Sequence, residues 1–126
     1  MRRQTIATAA LIAALAPAAR ATELYTATTQ ASDGTIMRCI VTNVSTSPVS
    51  VSASIQDGAG NDLKNSGNCF GSPAVLDPGQ FCFIDSGIPG WKMGYCHFTT
   101  SSSKVRAALE ILGNAGVITS TIPATK

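Results

Sequence analysis

Histidine is nearly missing from this chain. His97 is the single one in 126 residues, which excludes any metal site or proton relay that needs two. Charge is also scarce. Only 13% of residues are Asp, Glu, Lys or Arg, the formal net charge is +2, and no basic cluster occurs. Nucleic-acid binding is not expected from such a chain. No apolar run reaches the roughly 20 residues that span a bilayer. The cysteine spacings of 30, 13 and 14 contain no Cys-x2-Cys pair, and His97 adjoins Cys96, so no zinc site is expected. Phosphate-loop and cofactor motifs are lacking too, so no cofactor is expected.

The remaining composition, 44% hydrophobic, suits a globular protein rather than a disordered one. The length suits one domain. The N-terminus has a different character. Met1-Arg2-Arg3 is followed by an uncharged Ala/Ile/Leu run over Ile6–Ala16, then Pro17 and Ala19-Arg20-Ala21. This is the layout of a secretory signal peptide, residues 1–21, with cleavage before Thr22. The expected location is therefore secreted or periplasmic. The domain at 22–126 keeps 105 residues, loses three arginines and carries a formal −1. The apparent basicity belongs to the leader.

Secretion gives the cysteines a meaning. Cys39, Cys69, Cys82 and Cys96 are an even set in a short exported chain, so two disulfides are expected. Three pairings are open. The preferred one is Cys39–Cys96 with Cys69–Cys82. The first would tie strands of opposite sheets, and the second would close a 13-residue separation around a turn.

Hydrophobic residues alternate with polar ones along much of the chain. Val49, Val51, Ala53 and Ile55 interleave with Ser50, Ser52, Ser54 and Gln56. Val105 to Ile111 repeats the pattern, as do Met37/Cys39/Val41 and Gly94/Cys96/Phe98. A period of two marks strands with one buried face; it puts Tyr95 and His97 on the outer one. Further strands are expected at Leu24–Thr29, Gln80–Ile84 and Val117–Ile122, with Asp62–Phe70 unassigned. Turns fall at 46–48, 57–62, 76–79, 87–90 and 113–116. Short strands between turns predict an all-β, antiparallel two-sheet sandwich of about seven to eight strands.

Cys39-Ile40-Val41-Thr42-Asn43-Val44-Ser45, the alternating strand to Ile55, Leu76-Asp77-Pro78-Gly79-Gln80 and Tyr95-Cys96-His97-Phe98 together resemble an immunoglobulin-like sandwich. More narrowly, they resemble small secreted bacterial four-cysteine sandwich proteins of unassigned activity. The resemblance implies a Cys39–Cys96 bridge. The core tryptophan of antibody domains is absent, and Tyr95 precedes Cys96 by one residue rather than two, so the resemblance is to a looser sandwich.

Each reactive motif has a plainer reading. Gly67-Asn68-Cys69-Phe70-Gly71 matches the frame of a nucleophile elbow, but no helix is predicted after it. A disulfide is the expected fate of Cys69. Asp57-Gly58-Ala59-Gly60-Asn61-Asp62 looks like one copy of a calcium-binding glycine-rich repeat. Such sites need stacked copies, so a hairpin loop is expected; a single-loop calcium site through Asp57, Asn61 and Asp62 is the alternative. Asn43-Val44-Ser45 is a formal glycosylation sequon. Trp91, in a Gly/Pro-rich loop, either covers an open end of the sandwich or anchors a partner. With Phe70 and Ile88 it forms the expected binding surface.

The expected function is a non-catalytic binding or structural module with a protein or glycan partner and no integral membrane segment in the mature chain. One alternative is a fimbrial or surface-assembly subunit that donates Leu24–Thr29 to an open sheet edge. Another is a small secreted hydrolase using His97 as base.

Overall fold

The computed structural model describes residues 20–69, 73–87 and 89–126. It is all-β, as the alternation predicts. Ten strands are described: β1 Thr22–Tyr25, β2 Thr29–Ala31, β3 Ile36–Asn43, β4 Val49–Gln56, β5 Ser66–Gly67, β6 Ala74–Leu76, β7 Phe81–Ser86, β8 Lys92–Thr100, β9 Val105–Leu112 and β10 Ile118–Pro123. They form two antiparallel five-stranded sheets. Sheet A has the order β1-β8-β4-β6, with β2 also paired to β8. Sheet B has the order β10-β9-β3-β7-β5.

The strand count exceeds the seven to eight expected because β2, β5 and β6 are only two or three residues long, too short for a periodic signal. The predicted strand Leu24–Thr29 is also divided. Thr26 uses its hydroxyl, not its backbone, to accept the Cys96 N–H at 2.9 Å. The Thr26 N–H still donates to the Cys96 carbonyl at 3.1 Å, but the Thr26 hydroxyl takes the place of the Thr26 carbonyl as acceptor, and regular laddered pairing resumes at Thr29. β7 runs two residues beyond the predicted end because the polar Asp85 and Ser86 are buried. Arg38 on β3 grips the Asp85 carboxylate with two 2.8 Å bonds and lies 4.1 Å from the centre of the Phe83 ring.

Inward residues of both sheets make the core. Met37, Cys39 and Val41 on β3 meet Val51 and Ile55 on β4 and Phe98 on β8, all fully buried. Two disulfides staple this core. Cys39–Cys96 joins β3 of sheet B to β8 of sheet A, and Cys69–Cys82 ties the chain after β5 to β7. This is the preferred pairing. Gly67 explains how that chain comes so close to β7. Its φ is +135°, and a Cβ there would lie 2.3 Å from the Phe83 carbonyl oxygen.

Asn43, fully buried at the end of β3, joins two turns. Its amide donates to the Ser47 carbonyl at 2.8 Å and the Leu76 carbonyl at 2.9 Å, while its Oδ1 accepts the Ser45 N–H and hydroxyl. The formal sequon is therefore a packing element, and the folded chain leaves no room for a glycan on that nitrogen. Asp57–Asp62 is a hairpin loop. The Asp57 carboxylate accepts the Ala59 and Asn61 N–H groups and the Asn61 side-chain amide, which also lowers its pKa. Asp62 pairs with Lys64 at 2.9 Å. No cluster of three or more metal-ligating side chains occurs among the described residues.

Two outcomes test this framework by urea denaturation. Loss of the 57-residue closure in a Cys39→Ala/Cys96→Ala variant lowers unfolding free energy by about 4 kcal/mol, and loss of Cys69–Cys82 lowers it by about 3 kcal/mol. Asn43→Asp removes both amide donors and turns a carboxylate toward the Leu76 carbonyl, at a cost of about 3 kcal/mol near neutral pH.

Candidate binding face

β8 alternates strictly. Lys92, Gly94, Cys96, Phe98 and Thr100 point inward and are buried, so Met93, Tyr95, His97 and Thr99 take the outer face. The Cys96 bridge and the buried Phe98 set this phase. Trp91 has the outward parity and continues the row. It does not cover the core: 71% of its surface is exposed, with Met93 at 58%.

The loop before β8 is held in place. The Asp33 carboxylate accepts the Gly34 and Gly90 N–H groups at 3.0 and 2.8 Å. Gly90 has φ +89°, which glycine adopts without strain. On the other side of Trp91, the buried Lys92 ammonium donates to the Thr35 carbonyl at 3.0 Å. Burial lowers its pKa, opposed by the nearby Asp33 charge. Trp91 is thus fixed to the β2–β3 turn from both neighbouring residues.

Polar and aromatic groups from adjacent strands flank the row. Tyr25 of β1 lies opposite His97, and their rings stack with centroids 4.6 Å apart and planes 2° apart. Tyr95 donates its hydroxyl to Gln56 Oε1 at 2.7 Å. Glu23 bonds His97 Nε2 and accepts the Thr99 hydroxyl. The His97 bond lowers the Glu23 pKa below its ordinary 4.5. Past Thr99, a shallow groove of about 280 Å³ is lined by Ser50, Ser52, Pro73 and Ser101. A second groove of about 440 Å³ lies between the edges of β6 and β7, beside Val75, Phe81 and Cys82.

Of the expected surface, Trp91 stands exposed, while Phe70 and Ile88 lie outside the described residues. Both cysteines of each expected bridge are paired, so the elbow-like Cys69 offers no thiolate. His97 has a carboxylate partner but no hydroxyl bonded to its ring among the described residues. Ser54 lies directly across the strand pair from it without such a bond. Met93 was readable as a member of the face by extending the outward parity of Tyr95 and His97. Glu23 and Tyr25 were not, because only the β1–β8 register brings them there. Comparison with family models, curated proteins and solved structures finds no match for the chain.

The Glu23–His97 bond predicts a pH dependence. A carboxylate whose folded pKa is depressed contributes stability above its unfolded value and loses it as pH falls through the folded pKa. Glu23→Gln therefore melts below the wild type near neutral pH. The difference closes as pH drops from about 4.5 through the lowered Glu23 pKa, measurable by thermal unfolding across that range.

Proposed function

We propose that this protein is a secreted or periplasmic, non-catalytic binding module, immunoglobulin-like in layout, whose recognition face is the outer side of β8. The carrying observation is the row Trp91, Met93, Tyr95 and His97, widened by Tyr25 and presented on a disulfide-stapled sheet. Rigid, exposed aromatic side chains give large contact area at low entropic cost. Gln30, Gln56 and the Ser52/Ser54 hydroxyls beside them supply hydrogen-bonding groups suited to a glycan or a protein surface. The leader-like Met1–Ala21 segment and two disulfides support export. No described helix is long and apolar enough to cross a membrane.

A hydrolase reading draws on the Glu23–His97 contact, since a carboxylate that orients a histidine is one part of a base-assisted site. Among the described residues no hydroxyl is hydrogen-bonded to the His97 ring, which favours the binding reading. The assembly-subunit reading draws on Leu24–Thr29 as a donor. Here β1 pairs with β8 of its own chain and Leu24 is buried in its own core.

Trp91 is the only tryptophan, so its fluorescence reports on the face directly. Titration with a panel of neutral oligosaccharides and extended peptides is expected to shift this emission for at least one class. For that ligand, calorimetry on a Trp91→Ala/Met93→Ala variant should show affinity reduced at least about tenfold with an unchanged melting temperature. Binding that survives intact in this variant places recognition elsewhere. Turnover of chromogenic esters or glycosides that disappears in His97→Ala would replace the binding reading with the hydrolase.

A further inference from the structure

We infer that the ligand of the β8 face is an uncharged polysaccharide, its chain lying along the strand from Trp91 into the serine-lined groove; this rests on the outer side of β8 being the recognition face. Alternation and register fix what lies beside what. Trp91 and Met93 stand at one end, with Met93 opposite Gln30. Tyr95 lies opposite Gln56, and His97 lies between Ser54 and Tyr25. Thr99 follows, between Ser52 and Glu23. The row then opens into the groove of about 280 Å³ bounded by Ser50, Ser52 and Ser101. From Met93 to Ser101 this track is about 26 Å long, room for several linked sugar rings.

The track changes character along its length. Its Trp91 end is apolar, and its far half is lined by hydroxyls. A sugar ring needs both, since its C–H faces pack on aromatic and thioether surface while its rim hydroxyls donate and accept. A serine hydroxyl likewise does both. Among the described residues the Ser52 and Ser54 hydroxyls have no hydrogen-bond partner, so a ligand engages them without breaking an internal bond. Charge selects a neutral chain. Among the described residues no lysine or arginine takes an outward position on this track, and its one carboxylate, Glu23, is engaged by His97 and Thr99.

The topology disfavours an extended peptide. A peptide strand gains its affinity from main-chain bonds at a sheet edge. β8 is an inner strand, with β4 along one side and β1 and β2 along the other. A folded protein partner fits less well than a sugar chain too. Serine and threonine are under-represented at the energetic centres of protein interfaces, yet they line half of this track.

Affinity electrophoresis and Trp91 fluorescence of the disulfide-closed protein test this, against neutral glucans, mannans, galactans, xylans and chitin oligosaccharides, with polygalacturonate as a polyanion and a library of unstructured peptides beside them. At least one neutral class is expected to bind, with affinity rising from disaccharide to hexasaccharide. Trp91→Ala lowers the affinity at every length by at least about tenfold. Ser52→Val/Ser54→Val keeps the disaccharide affinity and loses about tenfold of the gain from length. Both serines face outward on β4 and valine suits a strand, so an undiminished melting temperature verifies that this variant folds. Peptide binding that depends on Trp91, with no neutral sugar bound, overturns the inference and leaves the recognition face standing. Neutral sugar bound equally well by Trp91→Ala overturns both. Binding to no neutral polysaccharide, preference for polygalacturonate, or a gain from length that survives in the serine variant each overturns the inference.

Discussion

The Cys39–Cys96 bond is the constraint on which the rest depends. It links the centres of two sheets whose strands share no ladder, with Cα atoms 5.7 Å apart. A sandwich formed from about 100 residues buries a modest fraction of its surface, so a covalent tie between its layers contributes a large share of net stability. The bond also sets phase. Once Cys96 must point inward, strict alternation sends Tyr95 and His97 outward, and the same parity carries Met93 and Trp91 to the surface. The outward row, exposed at Trp91 and Met93 and half-buried at Tyr95 and His97, is thus a geometric consequence of a core cross-link.

Buried polar groups secure what the apolar core leaves loose. Asn43 satisfies carbonyls in two separate turns, joining the β3–β4 and β6–β7 connections. Arg38 neutralises Asp85 while covering Phe83, which lets a carboxylate lie within sheet B. Such networks are costly unless complete. Both here are hydrogen-bonded at each charged or amide end, so they define one arrangement of turns and strands.

Long strands were legible because they are periodic. β3, β4, β8 and β9 each alternate over eight or nine residues, and their cysteines carried the pairing. The short strands were not. β5 and β6 exist because neighbouring long strands offer free edges, a tertiary cause that leaves no mark in two or three residues. Asn43 read as a sequon for the same reason, since nothing local reveals that two distant carbonyls wait for its amide.

By itself, the sequence determined the all-β class, the inward faces of the long strands, the even cysteine set and the leader-like N-terminus. These are properties of residue order and period, which need no knowledge of distant neighbours. Only the tertiary structure decided that Glu23 meets His97, that Tyr25 stacks on it, that Trp91 is exposed rather than folded over the core, and that β10 lies at the edge of sheet B. Each of those depends on register between strands distant in sequence or on sheet order, and a one-residue change in register would send every side chain of a strand to the opposite face.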